Sequence, residues 1–184
     1  MSRAAAIGLA FIDTETTGLG PGAQAWEIGV ILRHGFEPQG RDQRVLIQVA
    51  GFDEQDFEPE ALAVSGFSER YGKTEEAIPM SLPRAASRLG YLLSNRHLVA
   101  ANPAFDASII ERMLRACRYE PSWHFRLVDV EALAMGAKGW FKPRGLQATA
   151  TALGISFDQN DMHTAMGDAD LARRIHDHLI WSEQ

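Results

Sequence analysis

The sequence predicts an α/β fold: a mixed sheet with helices packed on it. Three observations carry this. Apolar, β-rich runs come first in the chain, short strands then alternate with amphipathic helical stretches, and turn residues separate the two kinds. A length of 184 residues suits one domain with one core, spanning 1–184. Apolar residues make up 46% of the chain and charged residues 23%, a balance that excludes a disordered polymer.

The elements follow in chain order. Residues 6–13 (AIGLAFID) read as a buried strand. The stretch 4–12 follows Arg3 much as the apolar part of a signal peptide would. It runs into Asp13-Thr14-Glu15 instead of a small-residue cleavage site, so the strand reading holds. GLGPG at 18–22 is a turn. Residues 26–33 (WEIGVILR) and 43–49 (RVLIQV after Gln43) make two more strands, expected to be antiparallel neighbours. The acidic run 53–60 (DEQDFEPE) reads as a solvated loop. A helix covers 82–94 with Pro83 near its start, and a short strand covers 97–100. After Asn102-Pro103 an amphipathic helix fills 104–117. A strand at 126–130 precedes helices at 130–136 and 145–153, the second stopped by Gly154. The last helix runs from 164 to 181.

Composition excludes several classes of function. No apolar run reaches the ~20 residues that span a bilayer, so no membrane role is expected. Cys117 is the single cysteine, which rules out an internal disulfide and zinc held by several thiolates, and suits a cytoplasmic protein. The formal charge of −6 lacks the basic excess of proteins that grip long duplexes, so any nucleic-acid contact is local.

Carboxylates then appear where the pattern calls for apolar side chains. Strand alternation puts Leu9, Phe11, Asp13 and Glu15 on one face. Asp106 precedes Ile109, Ile110 and Met113 by three, four and seven residues, so it belongs to the buried stripe of its helix, in the first turn. Asp168 stands in the same relation to Leu171, Ala172 and Ile175 in the last helix, whereas Asp170 and Asp177 fall off that stripe and read as solvated. Three segments thus aim acids at the core near element ends. Burying like charges is very unfavourable unless protons stay on or cations bind. Clustered hard oxygen ligands suit Mg²⁺ or Mn²⁺, and two divalent cations between shared carboxylates are a known arrangement for transferring a phosphoryl group to water. His163, in the loop before Asp168, is placed to take a proton from that water.

Asp13-x-Glu15 followed by Thr16-Thr17-Gly18, then Asn102-x-x-Phe105-Asp106, then His163-x₄-Asp168, resembles the DEDDh (DnaQ-like) 3′→5′ exonucleases of the RNase H-like superfamily. The motifs stand in that family's order and cover nearly the whole chain. Residues 26–30 (WEIGV) are similar to the family's second strand. The resemblance implies an RNase H-like fold with a central mixed five-stranded sheet flanked by helices. It implies that Asp13, Glu15 and Asp168 hold one metal ion, that Asp13 bridges to a second, that Asp106 binds mostly through intervening water, and that His163 is the general base. It also implies that residues 14–19 hold the terminal nucleotide (Thr14, Thr16, Thr17 and Gly18), with Leu19 as an apolar wedge, and that Asn102 and Phe105 border the substrate. One departure is Ala101, where many members carry a histidine.

Residues 138–145 (KGWFKPRG) interleave Lys138, Lys142 and Arg144 with Trp140 and Phe141, a pairing of cations and aromatics that suits a single strand. The expected activity is therefore a 3′→5′ exonuclease acting on single-stranded ends, DNA before RNA. The alternatives are an RNA 3′ exonuclease, a non-catalytic nucleic-acid-binding module on the same fold, and a phosphatase of free nucleotides. A module freed from catalysis has no reason to keep four buried acids, which argues against the second of these.

Overall fold

The structure, a computed structural model, describes residues 7–38, 42–73 and 77–181. Five strands form one sheet in the order β3-β2-β1-β4-β5. They are β1 (Gly8–Thr16), β2 (Ala25–His34), β3 (Gln43–Gln48), β4 (Arg96–Ala100) and β5 (Val128–Asp129). β1–β2 and β2–β3 pair antiparallel, while β1–β4 and β4–β5 pair parallel, so the sheet is mixed as expected. Among the described residues seven α-helices accompany it: α1 (Pro59–Ser65), α2 (Phe67–Arg70), α3 (Leu82–Leu93), α4 (Pro103–Ala116), α5 (Val130–Lys138), α6 (Leu146–Ala152) and α7 (Ala165–Trp181).

Strand alternation sorts the core into two layers. On one face Ala10, Ile12, Ile28, Val30 and Leu98 pack against α3 and α4 through Leu89, Leu93, Ile110 and Leu114. On the other, Leu9, Phe11, Ile31 and Val99 meet α7 through Ala169, Ala172 and Ile175. Asp13 and Glu15 follow Leu9 and Phe11 on this second face, and the strand runs far enough to carry both, to Thr16. The strand reading at 6–13 therefore stopped too early, and its first residue, Ala6, lies outside the described residues. β5 is also shorter than the 126–130 expected, with two residues in the ladder.

Two expectations are corrected. The acidic run at 53–60 is exposed as expected, Phe57 apart, but it is not all loop. Asp53 accepts from Gln55 N and caps a 3-10 turn at Glu54–Asp56, and Pro59 opens α1 at a position where its missing N–H costs nothing. What organises this segment is an aromatic cluster away from any period. Trp26 lies edge-on to Phe67, and Phe57 and Phe67 meet at 4.6 Å between ring centroids. Asp170 and Asp177 are not simply solvated either. Asp177 takes a 2.5 Å bond from Arg33 Nη1, and Asp170 pairs with Arg44 and Arg173. Burial works against the charge on Asp177, but hydrogen bonds from His176 and Arg33 prevail and hold its carboxyl down to about 2.

Candidate active site

The site lies at the end of β1 where the strand leaves the core. In the β1–β2 ladder Asp13 stands opposite Gly29 and Glu15 opposite Glu27, with an irregularity just beyond, between Glu15 and Thr16. A side chain at Gly29 would overlap the Ala165 carbonyl. Glycine there lets the first turn of α7 rest directly on strand backbone. Asp168, in that first turn, is thereby brought against the two acids of β1. The turn is capped by Thr164, whose Oγ1 accepts from Gly167 N at 3.0 Å.

Asp13, Glu15 and Asp168 each offer a carboxylate oxygen, and these oxygens lie within 4.8 Å of one another. Asp106 stands beside this group but is not one of the three. Its carboxylate, 3% exposed at the start of α4, accepts a 2.7 Å bond from Thr14 Oγ1. Asn102, just before the helix, takes the left-handed conformation (φ 50°), which asparagine tolerates better than most residues. Pro103 fills the first helical position. Ala101, at the departure from the family pattern, packs on the apolar layer beneath α7.

All four acids are pushed towards their protonated forms. Burial raises Asp13 well above the ordinary carboxylate range, and the charges of Asp106, Asp168, Glu15 and Glu27 add to it. Burial, then the Asp168 charge, lifts Glu15 to about 8. Burial moves Asp106 to about 7 against the opposing bond from Thr14. Asp168 reaches about 6, again by burial, with the charge and backbone amide of His163 opposing the rise. Asp168 Oδ1 is buried and has no hydrogen-bond partner. An orphaned oxygen among acids that repel one another fits a hard divalent cation, which takes carboxylate oxygens and removes the repulsion together. His163 is exposed, acts on Asp168, and holds φ at 57°, an uncommon conformation for a residue other than glycine.

Beside the acids opens a cleft of roughly 360 Å³ lined by Thr14, Glu15, Thr16, Gly18, Leu19, Val64 and Phe105, among others. Leu19 is 81% exposed, unusual for a leucine, and projects at the mouth of the cleft. The Thr16 and Thr17 hydroxyls are buried and engaged within the loop, Thr16 donating to Gly18 O (2.6 Å) and Thr17 accepting from Gln24 N (3.1 Å). Asn102 is exposed and does not line this cleft. The loop with Trp140, Lys142 and Arg144 forms a shallow groove of its own, which shares no lining residue with the first. Within it the Arg144 guanidinium sits 4.2 Å from the Trp140 ring centre and Phe141 is fully exposed.

Sequence reasoning missed four contributors. Glu58 lies against Gly18, where a side chain would overlap its carboxylate, and its Oε2 accepts from Leu19 N at 3.4 Å. Behind the acids, buried Glu27 and Gln48 form a polar group with half-buried Arg70. Of these, Glu27 left a trace in the sequence as a charge inside an otherwise apolar strand, and Glu58 as part of the acidic run.

The sequence pattern of a family described as exonuclease matches residues 10–175. No curated protein sequence matches the chain. Among solved structures, E. coli Exonuclease I in complex with a 5cy-dT13 oligonucleotide aligns with a TM-score of 0.66 at 18% identity, covering 96% of this chain and 40% of that one. The RNase domain of yeast Pop2 aligns at 0.66 and 14% identity, covering 97% and 78%. The Neurospora crassa Pan2 catalytic unit aligns at 0.57 and 15% identity, covering 94% and 27%. These neighbours share the RNase H-like fold, with its mixed five-stranded sheet flanked by helices. The chain spans well under half the length of the first and third.

Proposed function

The chain belongs to the exonuclease family, and from that premise we propose that it hydrolyses single-stranded nucleic acid from the 3′ end, releasing nucleoside 5′-monophosphates. The observation that carries this is the meeting of Asp13, Glu15 and Asp168 oxygens within 4.8 Å at the edge of a cleft with an apolar wall. We read Asp13, Glu15 and Asp168, with Asp106 beside them, as the residues that would hold the divalent cations, Mg²⁺ or Mn²⁺, on which the reaction would depend. Such ions supply Lewis acidity to the attacking water and neutralise the charge that develops on the phosphate.

The protein's own groups do the rest. Leu19, Val64 and Phe105 give the last base an apolar seat, which places the terminal phosphate over the acids. His163 accepts the proton of the attacking water as its oxygen bonds to phosphorus. The bond from phosphorus to the 3′ oxygen of the preceding sugar breaks, that oxygen takes up a proton from solvent, and the phosphate leaves on the released nucleotide. The exposed imidazole can then return its proton to solvent. Trp140, Lys142 and Arg144 are proposed to hold the strand further from its end, the aromatic by stacking and the cations at phosphates. We take single-stranded DNA as the substrate to test first. The E. coli neighbour was solved with an oligonucleotide, and the formal charge of −6 lacks the basic excess usual in proteins that grip long duplexes.

The test is to incubate 5′-labelled DNA and RNA single strands with the protein in Mg²⁺, Mn²⁺ or EDTA. A metal-dependent ladder shortening from the 3′ end, absent in Asp13→Ala, is the expected result. Binding without cleavage under every metal, or phosphate released only from free nucleotides, would overturn the proposal. The faster of the two ladders assigns the sugar.

A further inference from the structure

Glu27 is 1% exposed, inside β2. A buried carboxylate is costly unless donors surround it, and here three elements each supply one. Arg70 Nη2 from α2 donates to Oε2 at 3.0 Å, Gln48 Nε2 from β3 to Oε1 at 3.1 Å, and the Ala165 backbone N–H at the start of α7 to Oε2 at 3.3 Å. The partners are themselves fixed. Gln48 is fully buried and accepts from Gly72 N at 2.9 Å, and the Arg70 guanidinium lies 5.2 Å from the Trp26 ring centre.

We propose that Glu27 and Arg70 form a positioning pair, which holds the first turn of α7, and with it Asp168 and the His163 loop, in register with Asp13 and Glu15. The proposal rests on reading the acidic pocket as the reaction centre. Neither residue touches the reacting atoms in this reading; both act through the helix. Gly29 sets how closely α7 approaches the sheet, because the Ala165 backbone rests on it. Closeness alone leaves the helix free to slide along the strand. Glu27, two residues before Gly29 on the same face, removes that freedom by binding the N–H of Ala165. Glu27 is also the cross-strand partner of Glu15, so the strand that carries one metal-binding acid is paired directly with the group that anchors the helix carrying another.

Arg70 gives the pair its second consequence. Its positive charge acts favourably on Glu15 and on Asp168. Paired with Glu27 it adds no net charge to the pocket. Unpaired, it would place a fixed cation beside the acids, in competition with a metal ion. α2 follows directly on α1, whose Val64 and Ser65 line the nucleotide cleft, so the pair also ties the wall of that cleft to α7.

The test uses Glu27→Gln, Arg70→Met and the double variant. Glutamine retains an oxygen for the Ala165 N–H but loses the charge. The double variant restores neutrality with nearly the original shape. Each single variant is expected to lower kcat about tenfold or more while KM for a short single strand moves less than about threefold, because the pair acts on alignment and not on substrate binding. Glu27→Gln is expected to need several-fold more Mg²⁺ for half-maximal rate. The double variant should recover about tenfold of the loss of the worse single, as a non-additive pair does. A second readout needs neither metal nor activity. In EDTA, the amides of residues 166–169 should exchange about tenfold faster in Arg70→Met than in the parent, and return towards parental protection in the double variant.

Unchanged exchange in that turn, or strictly additive losses in the double variant with all proteins folded by circular dichroism, would overturn the pairing. If the parent protein cleaves nothing while exchange still follows the pattern, the pair stands and the nuclease reading fails. If cleavage is intact and exchange does not follow it, the reverse holds.

Discussion

Replacing Glu15 with glutamine should make the metal-free protein more stable near neutral pH, although it removes a residue that we place at the centre of the chemistry. The carboxyl is moved from its ordinary 4.5 to about 8, first by burial and then by the Asp168 charge. The folded-state value lies above the unfolded one, so the associated stability is fully present below about pH 4.5 and is lost as pH rises through about 8. At pH 7 the unfolded chain has released this proton and the folded chain has kept it. At ~1.4 kcal/mol per pH unit the difference is roughly 3 kcal/mol, an upper figure because the neighbouring acids titrate together with Glu15. For a domain of this size that is ~6–12 °C in Tm. The assay is thermal unfolding of parent and Glu15→Gln in EDTA at about pH 4 and pH 7. The gain in Tm should appear at pH 7 and shrink towards zero at pH 4, where glutamine merely replaces a protonated acid. Addition of Mg²⁺ or Mn²⁺ at pH 7 should raise the Tm of the parent and do less for the variant. A gain of equal size at both pH values, or a loss at pH 7, would refute the account of strained acids.

Two further outcomes follow from the site. His163→Ala should lower kcat by ~10²–10⁴-fold, the usual range for a general base, while the metal-induced rise in Tm is retained; full activity would remove the imidazole from the mechanism. Trp140→Ala should weaken single-strand binding in EDTA by about 1 kcal/mol, roughly fivefold in Kd, the low end for one stacked base because Arg144 already covers part of the ring. Unchanged binding would leave this tryptophan a packing residue.

How much of this was legible in the sequence depends on the range of the interaction. Period-two alternation in β1 and period-3.6 spacing in α4 and α7 are local, and they located Asp13, Glu15, Asp106 and Asp168 with the correct faces. The segment from Asp53 through α1 and α2 is held by Trp26, Phe57 and Phe67 across more than forty positions, with no period and a surplus of acids at its start, so local reasoning returned a loop for 53–60 and no element beyond it. Asp177 failed for the same reason. Its partner Arg33 is 144 residues away, and position on the helix alone said only that it lay off the apolar stripe. Glu27 was visible as an anomaly in an apolar strand, but its meaning depends on Arg70, Gln48 and Ala165, which no spacing rule connects.

Helix α7 offers an internal comparison that bears on why the acids at the site are left as they are. It carries Asp168, Asp170 and Asp177 within one run of seventeen residues. The fold supplies Asp177 with Arg33 and supplies Asp170 with Arg44 and Arg173, and the Asp177 carboxyl is held down to about 2 in consequence. Guanidinium partners are thus plentiful along this helix. Yet Asp168 has a buried oxygen with no partner and is pushed up to about 6, beside two more acids in the same strained condition. Arg70 lies close enough to act on this group, but its hydrogen bond goes to Glu27 instead. A fold that gives the other half-buried acids of this helix guanidinium partners and gives Asp168 none keeps it available for a cation that arrives from outside. The cost appears as instability in the metal-free protein, and the pH dependence of Glu15→Gln measures it.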